Sequence, residues 1–181
     1  MKLITIAAAI SALYSCPAVF AECAHRTEMK DYTICFPKAW SVYIDPSLDR
    51  VSGCNKSSGK CTGPGGGFPV AGAVFIFLMP AEKVPDHPPY HSPADIVSLA
   101  PHAGMPAPDI SVVKLDKLSS GSEGKCLVAR SLLFGKVWDE VYGLEVNGTL
   151  FRAWVQYNSE PEKIEGYRNS VIETLSSLSL R

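Results

Sequence analysis

An Asn-Gly pair between two runs of alternating apolar and polar residues constrains the fold of this chain more than any other feature of its sequence. The pair is Asn147-Gly148, and the runs cover residues 137–146 and 149–157. Asn-Gly is typical of a two-residue turn between antiparallel strands, because both turn positions need a positive φ. The turn also fixes the register, so that Val146 should pair with Thr149. The resulting hairpin has one strongly apolar face, which another part of the chain must cover.

The segment after the hairpin can provide that cover. Ser159 and Glu162 have the spacing of a capping box, and Pro161 is tolerated in the first turn of a helix. Apolar residues then recur at helical spacing and form one narrow stripe: Ile164, Tyr167, Val171, Leu175 and Leu178. We therefore expect a C-terminal helix that packs this stripe onto the hairpin.

Further strands are predicted from alternation and from apolar runs that end at Gly or Pro. They cover residues 31–36, 40–44, 71–79, 110–118 and 125–134. Residues 46–70 are expected to be loop, and Ser92 is expected to cap a short helix over residues 93–100.

Two of these strands, at 71–79 and 125–134, are apolar on both faces. Such strands need a layer of structure on each side of the sheet. The sequence therefore predicts a single α+β domain over residues 22–181. In it, an antiparallel β-sheet is sandwiched by helices, with the C-terminal hairpin at one edge of the sheet.

The first 21 residues have the pattern of an export signal. Lys2 precedes an apolar stretch, and Ala21 is a small residue of the kind that signal peptidase prefers. The alternative is a lipoprotein box that ends at Cys16, where a lipid would anchor the protein to a membrane. We expect an exported protein, periplasmic or secreted, with membrane anchoring only if Cys16 is lipidated. No apolar run reaches the roughly 18 residues that a membrane-spanning helix needs.

Export permits disulfide bonds, and five cysteines follow the signal. Cys54 and Cys61 bracket a short polar loop and are natural partners. A hairpin at the start of the domain would bring Cys23 opposite Cys35. Cys126 begins an apolar strand and is expected to be a buried free thiol. Other pairings of five cysteines exist, so the spacing alone leaves the connectivity open.

Charge and motifs exclude several classes of function. The chain has 17 basic and 18 acidic residues, so it lacks the excess of positive charge that nucleic-acid binding requires. No motif for nucleophilic catalysis occurs, and the Gly-rich segment before residue 68 lacks the spacing of a phosphate-binding loop. We expect no cofactor and no enzymatic activity.

Three histidines are candidate metal ligands: His87, His91 and His102. The Pro-Pro pair between His87 and His91 excludes a helix that would place both on one face. Imidazole suits zinc or copper, so an extended loop that holds all three is one interpretation. The other is a solvated loop stiffened by proline.

Arg130 is a candidate ligand- or partner-binding residue, because it shares a strand face with apolar side chains. It could bind the carboxylate of a ligand in a groove. The alternative is a salt bridge within the protein, for which Asp139 and Glu140 are available.

Two segments resemble the PsbP-like family. "DYTICFPKAWSVYID" resembles its opening, and "VYGLEVNGTLFRAWVQYNSEPEKIEGYRNSVIETLSSL" resembles its closing hairpin and helix. The family includes the photosystem protein PsbP, a yeast Ran-binding import factor, and bacterial envelope and secretion-associated proteins. The resemblance covers about residues 25–180 by order of elements and implies an α-β-α sandwich with a binding or adaptor role. No metal- or partner-binding motif of the family has a match here.

These observations predict an exported, non-catalytic binding or adaptor module of the cell envelope. It would engage a protein or envelope component through its loops at 46–70 and 80–108. The alternative is a periplasmic protein that binds a metal or small ligand through the loop with His87, His91 and His102.

Overall fold

The computed structural model describes residues 23–56, 61, 69–85, 89–98, 109–114, 125–133 and 137–181. The strands are β1 His25–Glu28, β2 Tyr32–Phe36, β3 Ser41–Asp45, β4 Arg50–Cys54, β5 Ala73–Pro80, β6 Asp109–Lys114, β7 Lys125–Leu133, β8 Val137–Val146, β9 Thr149–Asn158 and β10 Ser179–Leu180. The helices are α1 Pro93–Ser98 and α2 Pro161–Ser176, with a 3₁₀ turn over Ala81–Lys83.

The strands form two antiparallel sheets. A small sheet has the order β1-β2-β10, and a seven-stranded sheet has the order β3-β4-β5-β9-β8-β7-β6. The β8–β9 hairpin has the predicted register, with Val146 opposite Thr149. Asn147 and Gly148 have φ values of 48° and 80°, as the two-residue turn requires.

The hairpin lies in the middle of the large sheet, so the prediction that it forms one edge is wrong. The whole of β5 pairs with residues 151–158 of β9, and β7 pairs along most of β8. The physical reason lies on the second face of the hairpin, which carries Val141, Leu150 and Trp154 among its polar residues. Strands that are apolar on both faces belong inside a sheet rather than at its edge.

The main core lies on one face of the large sheet, where α2 and the small sheet cover it together. β5 contributes Val74, Ile76 and Leu78 to this core, and α2 contributes Val171 and Leu175. All five side chains are completely buried. Each stabilises the fold by roughly 1.5–3 kcal/mol relative to an exposed position. The predicted packing of the C-terminal helix on the hairpin is confirmed.

The opposite face is covered in part by α1, which packs against β7 and β8 and buries Ile96 there. Its start is capped as predicted, because the Asp95 amide donates a 3.2 Å hydrogen bond to the hydroxyl of Ser92. The helix lies so close to β8 that a Cβ on Gly143 would be 2.4 Å from the carbonyl oxygen of Pro93. With α1 and α2 on opposite faces, the domain has the predicted α+β sandwich architecture.

Two local predictions are wrong. Residues 50–54 are strand β4 and not loop, because they pair with β3 on one side and β5 on the other. The short sequence Arg-Val-Ser-Gly-Cys has little alternation, so its neighbours in the sheet decide its conformation. The capping box at Ser159 also fails. Glu160 is the N-cap of α2, its side chain forms no capping hydrogen bond, and Pro161 begins the helix.

Two disulfides, Cys23–Cys35 and Cys54–Cys61, are present, and they are the pairs expected from the sequence. Cys126 is a buried free thiol, and burial raises its pKa to about 12. Residues 1–21, which include the expected signal and Cys16, lie outside the described residues. Within the described ranges, no helix has the length and apolar character to cross a membrane.

Candidate functional site

Part of one face of the large sheet has no helix over it in the described part of the chain. α1 lies over β7 and β8 and reaches only β9, and α2 lies on the opposite face. The uncovered strands carry a row of cross-strand neighbours: Tyr43, Ser52, Phe77 and Trp154. We call this row the open face, together with the adjacent side chains of Arg50, Phe75, Met79 and Arg152.

Aromatic rings form the centre of the open face. Phe77 stacks on Trp154 with ring centroids 5.6 Å apart, and Phe75 lies 4.4 Å from Phe77. The indole N–H of Trp154 donates a hydrogen bond to the carboxylate of Asp139, which holds the orientation of the ring. Trp154 is 36% exposed, and Tyr43 at the outer strand is 75% exposed. The rings therefore make a fixed apolar platform that remains accessible to a partner.

A groove of about 130 Å³ crosses this platform. Arg50 and Arg152 line this groove, and Arg50 is already paired. The guanidinium of Arg50 lies 5.6 Å from the ring centre of Phe77, and its Nη2 lies 2.9 Å from Oδ2 of Asp45. Its charge is therefore offset locally, while its planar group extends the aromatic surface.

Arg152, which lines the same groove, has no such pairing. Its Nε is buried without a hydrogen-bond partner, and no carboxylate of the described residues lies within salt-bridge distance of it. Burial lowers the pKa of Arg152, although the nearby Tyr90 and Asp139 work in the opposite direction. Because an arginine stays protonated under all ordinary conditions, the groove contains a positive charge that is outside any salt bridge of the described residues, although Asp139 lies close enough to act on it.

A second hollow, of about 550 Å³, lies beside the start of β9 and the C-terminus. Its charged lining residues are Asp31, Glu82 and Arg181, and each lies within salt-bridge distance of an oppositely charged neighbour. The charges of this hollow are therefore matched inside the protein. The open face is the better candidate for recognition, because its groove contains the unpaired cation.

Arg130 takes part in a buried polar cluster on the opposite face of the sheet. The centre of the cluster is Glu140, whose side chain is completely buried. Nε of Arg130 lies 3.1 Å from its Oε1, an ion pair in which the N–H does not point at the oxygen well enough to form a hydrogen bond. The structure thus contains the salt bridge that the sequence offered as the alternative. The ligand-binding role of Arg130 stays a prediction.

The same carboxylate binds α2 to the sheet. Arg168 of α2 donates from Nε and Nη2 to Oε1 of Glu140, while Tyr142 and Tyr157 donate to Oε2 over 2.6 and 3.0 Å. Burial, followed by the neighbouring carboxylate of Glu140, raises the pKa of Tyr142 well above its ordinary value; burial, followed by Tyr142 and Glu140, does the same to the pKa of Tyr157. Both oxygens of the carboxylate accept hydrogen bonds from neighbours around the core, which is the arrangement of a structural cluster.

The histidine site cannot be assembled from the described residues, because His87 and His102 lie outside them. His91 is exposed, and its backbone N–H donates to the carboxylate of Asp95 over 2.8 Å. No group of three or more potential metal ligands occurs in the ranges that the structure describes. The metal or small-ligand site stays a prediction.

Sequence reasoning missed the open face, and it offered Glu140 only as one of two possible salt-bridge partners of Arg130. The alternation placed Trp154 and Arg152 on the more polar face of the hairpin. Phe77 lies beside them only because β5 pairs with β9, and the sequence does not show that pairing. A signal for Glu140 was present, because its parity along β8 is that of Tyr142. An acidic residue on an apolar face must have a buried partner.

Comparison with solved structures gives several similarities, two of which follow. LpqN of Mycobacterium tuberculosis, described as involved in cell envelope biogenesis, is 10% identical with a TM-score of 0.41, over 85% of this chain and 86% of that chain. The Ran-binding protein Mog1p of Saccharomyces cerevisiae is 8% identical with a TM-score of 0.43, over 84% and 96%. No family model matches the chain, and no curated protein matches it.

Proposed function

We propose that this protein is an exported, non-catalytic binding module that engages a protein partner through its open face. The observation that carries the proposal is the set of fixed aromatic rings on the open face, with Tyr43 and Trp154 exposed at its two ends. Aromatic and arginine side chains dominate the binding energy of protein interfaces, and they do so when they cluster on a rigid surface. A strand platform gives such rigidity, because the rings lose little conformational freedom when a partner arrives.

The chemistry of the open face supports binding rather than catalysis. Its side chains are aromatic rings, a thioether, hydroxyls and guanidinium groups. Two carboxylates lie beside it, and both are engaged: Asp45 pairs with Arg50, and Asp139 accepts hydrogen bonds from Trp154 and Gln156. Nucleophilic catalysis needs a reactive group with an adjacent base. Cys126 does not meet this requirement, because it is buried and its pKa is raised.

Export is supported by two independent features. Residues 1–21 have the pattern of a signal peptide. The domain contains two disulfides, which persist in oxidising compartments such as the bacterial periplasm or the extracellular space. The partner is therefore proposed to be a protein of the cell envelope or its surroundings.

Site-specific photocrosslinking in the native host tests this proposal. A benzoylphenylalanine placed at Tyr43 should give a discrete adduct with a partner that mass spectrometry identifies and that rebinds the protein after purification. The matched control is the same group at Glu173, an exposed position on α2 at the far face. Trp154→Ser should weaken the adduct at position 43. Equal adducts at both positions, or an adduct indifferent to Trp154→Ser, would contradict the proposal.

A further inference from the structure

The environment of Arg152 differs from that of Arg130 on β7 and that of Arg168 on α2. Arg130 and Arg168 both lie next to the carboxylate of Glu140. Arg152 has no hydrogen bond or ion pair within the described chain, and its Nε is buried. A buried polar group without a partner costs stability, so such a group in a folded protein needs an explanation.

The shape of the groove defines what could satisfy Arg152. Met79 and Trp154 line the groove beside it, and Arg50 over Phe77 lies opposite. A volume of about 130 Å³ suits one side chain rather than a cofactor. The planar guanidinium fork matches the two oxygens of a carboxylate, and the flanking thioether and ring suit an apolar neighbour of that carboxylate.

The surrounding charges favour a carboxylate over a phosphate group. Arg50 forms a salt bridge with Asp45, whereas Arg152 is outside any salt bridge of the described residues. Asp139 lies nearby at the end of the Trp154 hydrogen bond and would repel a doubly charged group more strongly than a singly charged one. The guanidinium groups of Arg50 and Arg152 and the carboxylates of Asp45 and Asp139 sum to zero, so a ligand group with one negative charge is repelled less here than one with two.

On the basis of the proposed function, we propose that Arg152 recognises an Asp or Glu side chain in an extended segment of the partner protein. An apolar residue of the same segment lies on Trp154 and Phe77. The aromatic row then contributes area, and Arg152 determines which segment binds. This assigns a specificity-determining role to a residue whose buried Nε has no hydrogen-bond partner within the described chain.

The test is a selection on an array of random ten-residue peptides with the full secreted protein, followed by measured affinities for the selected peptides. We expect enrichment of Asp or Glu next to an apolar residue. Replacing that acid by its amide in the peptide, or Arg152→Gln in the protein, should each weaken binding about 10- to 100-fold. The two changes together should cost little more than either alone, since they remove the same contact.

Controls separate this role from others. Arg26→Gln, at an exposed position on the small sheet, makes the same charge change and should leave the affinities unchanged. The melting temperature of Arg152→Gln should be equal to or higher than that of the native protein, because the variant removes an unpaired group. A lower melting temperature would mean that Arg152 is structural and would overturn the inference.

The remaining outcomes distinguish the two proposals. Peptides that need Trp154 but show no acidic preference would overturn the carboxylate role and leave the proposed binding function intact. Selected peptides that bind equally well to Trp154→Ser, or no selected peptides at all, would overturn both.

Discussion

Replacing Glu140 by glutamine should destabilise the domain by about 3–5 kcal/mol, the range found when one partner of a buried ion pair is removed. The change keeps the shape of the side chain but removes a charge whose surroundings consist of donors. Tyr142 lies 2.6 Å and Tyr157 3.0 Å from Oε2, and Arg168 Nε lies 2.9 Å from Oε1. Glutamine turns one acceptor into an NH₂ donor that faces other donors.

The magnitude follows from two opposing contributions. Hydrogen bonds to a charged group contribute about 1.5–3 kcal/mol each, and Glu140 accepts from three residues. Burying the carboxylate costs several kcal/mol, which offsets part of that gain. The native cluster can therefore be close to neutral in net terms, while the variant loses its favourable part and leaves Arg168 and Arg130 without their common counter-charge.

Urea denaturation of the oxidised protein, followed by tryptophan fluorescence and circular dichroism, measures this free energy. The matched control is Glu165→Gln, which removes the exposed carboxylate that pairs with the same Arg168. Because surface pairs contribute little, the control should lose less than about 1 kcal/mol. A double-mutant cycle with Arg168→Met should give a coupling energy for the buried pair and almost none for the exposed pair.

The result that would refute the reasoning is a loss below about 1 kcal/mol for Glu140→Gln at an unchanged denaturant slope. Equal losses for Glu140→Gln and Glu165→Gln would also refute it, because burial would then have no effect on the strength of the pairing. Either outcome would mean that apolar packing alone holds α2 on the sheet.

Three further predictions follow from burial and close packing. Gly143→Ala should destabilise the domain by about 1–3 kcal/mol in urea, because its methyl group meets the backbone of α1. Gly166→Ala, at a position on α2 with no neighbour within 4 Å, should stabilise the domain by about 0.5–1 kcal/mol. A Gly143→Ala variant as stable as the native protein would contradict this. Cys126 should react with a disulfide reagent at neutral pH only after unfolding, so rapid modification of the native protein would show that the thiol is accessible. The pKa values of Tyr142 and Tyr157 are raised in the folded state, so their contribution to the free energy of unfolding should be complete below about pH 10. Above that pH it should fall by about 1.4 kcal/mol per pH unit for each tyrosine. A urea midpoint that stays flat above pH 10 would contradict this.

Local features of the fold could be predicted from the sequence because their signals are local. The Asn147-Gly148 turn sets a register within one hairpin, and the stripe through Val171 and Leu175 shows which side of α2 is buried. Strand order depends on pairings between distant segments. Nothing in the residues around Gly148 indicates that β5 pairs with β9, which is why a central hairpin was expected at an edge.

The missed strand β4 explains why the open face could not be predicted. Seven strands at about 4.8 Å spacing make a sheet about 29 Å wide between its outer strands. α1 is six residues long and covers about 9 Å, so it cannot shield the whole of its face. Seven strands were expected too, but β4 was not among them, so the row from Tyr43 through Ser52 to Phe77 could not be placed. Phe77 and Trp154 stay partly exposed because the sheet is wider than its helix is long, and recognition can evolve on such a surface without any change in the core.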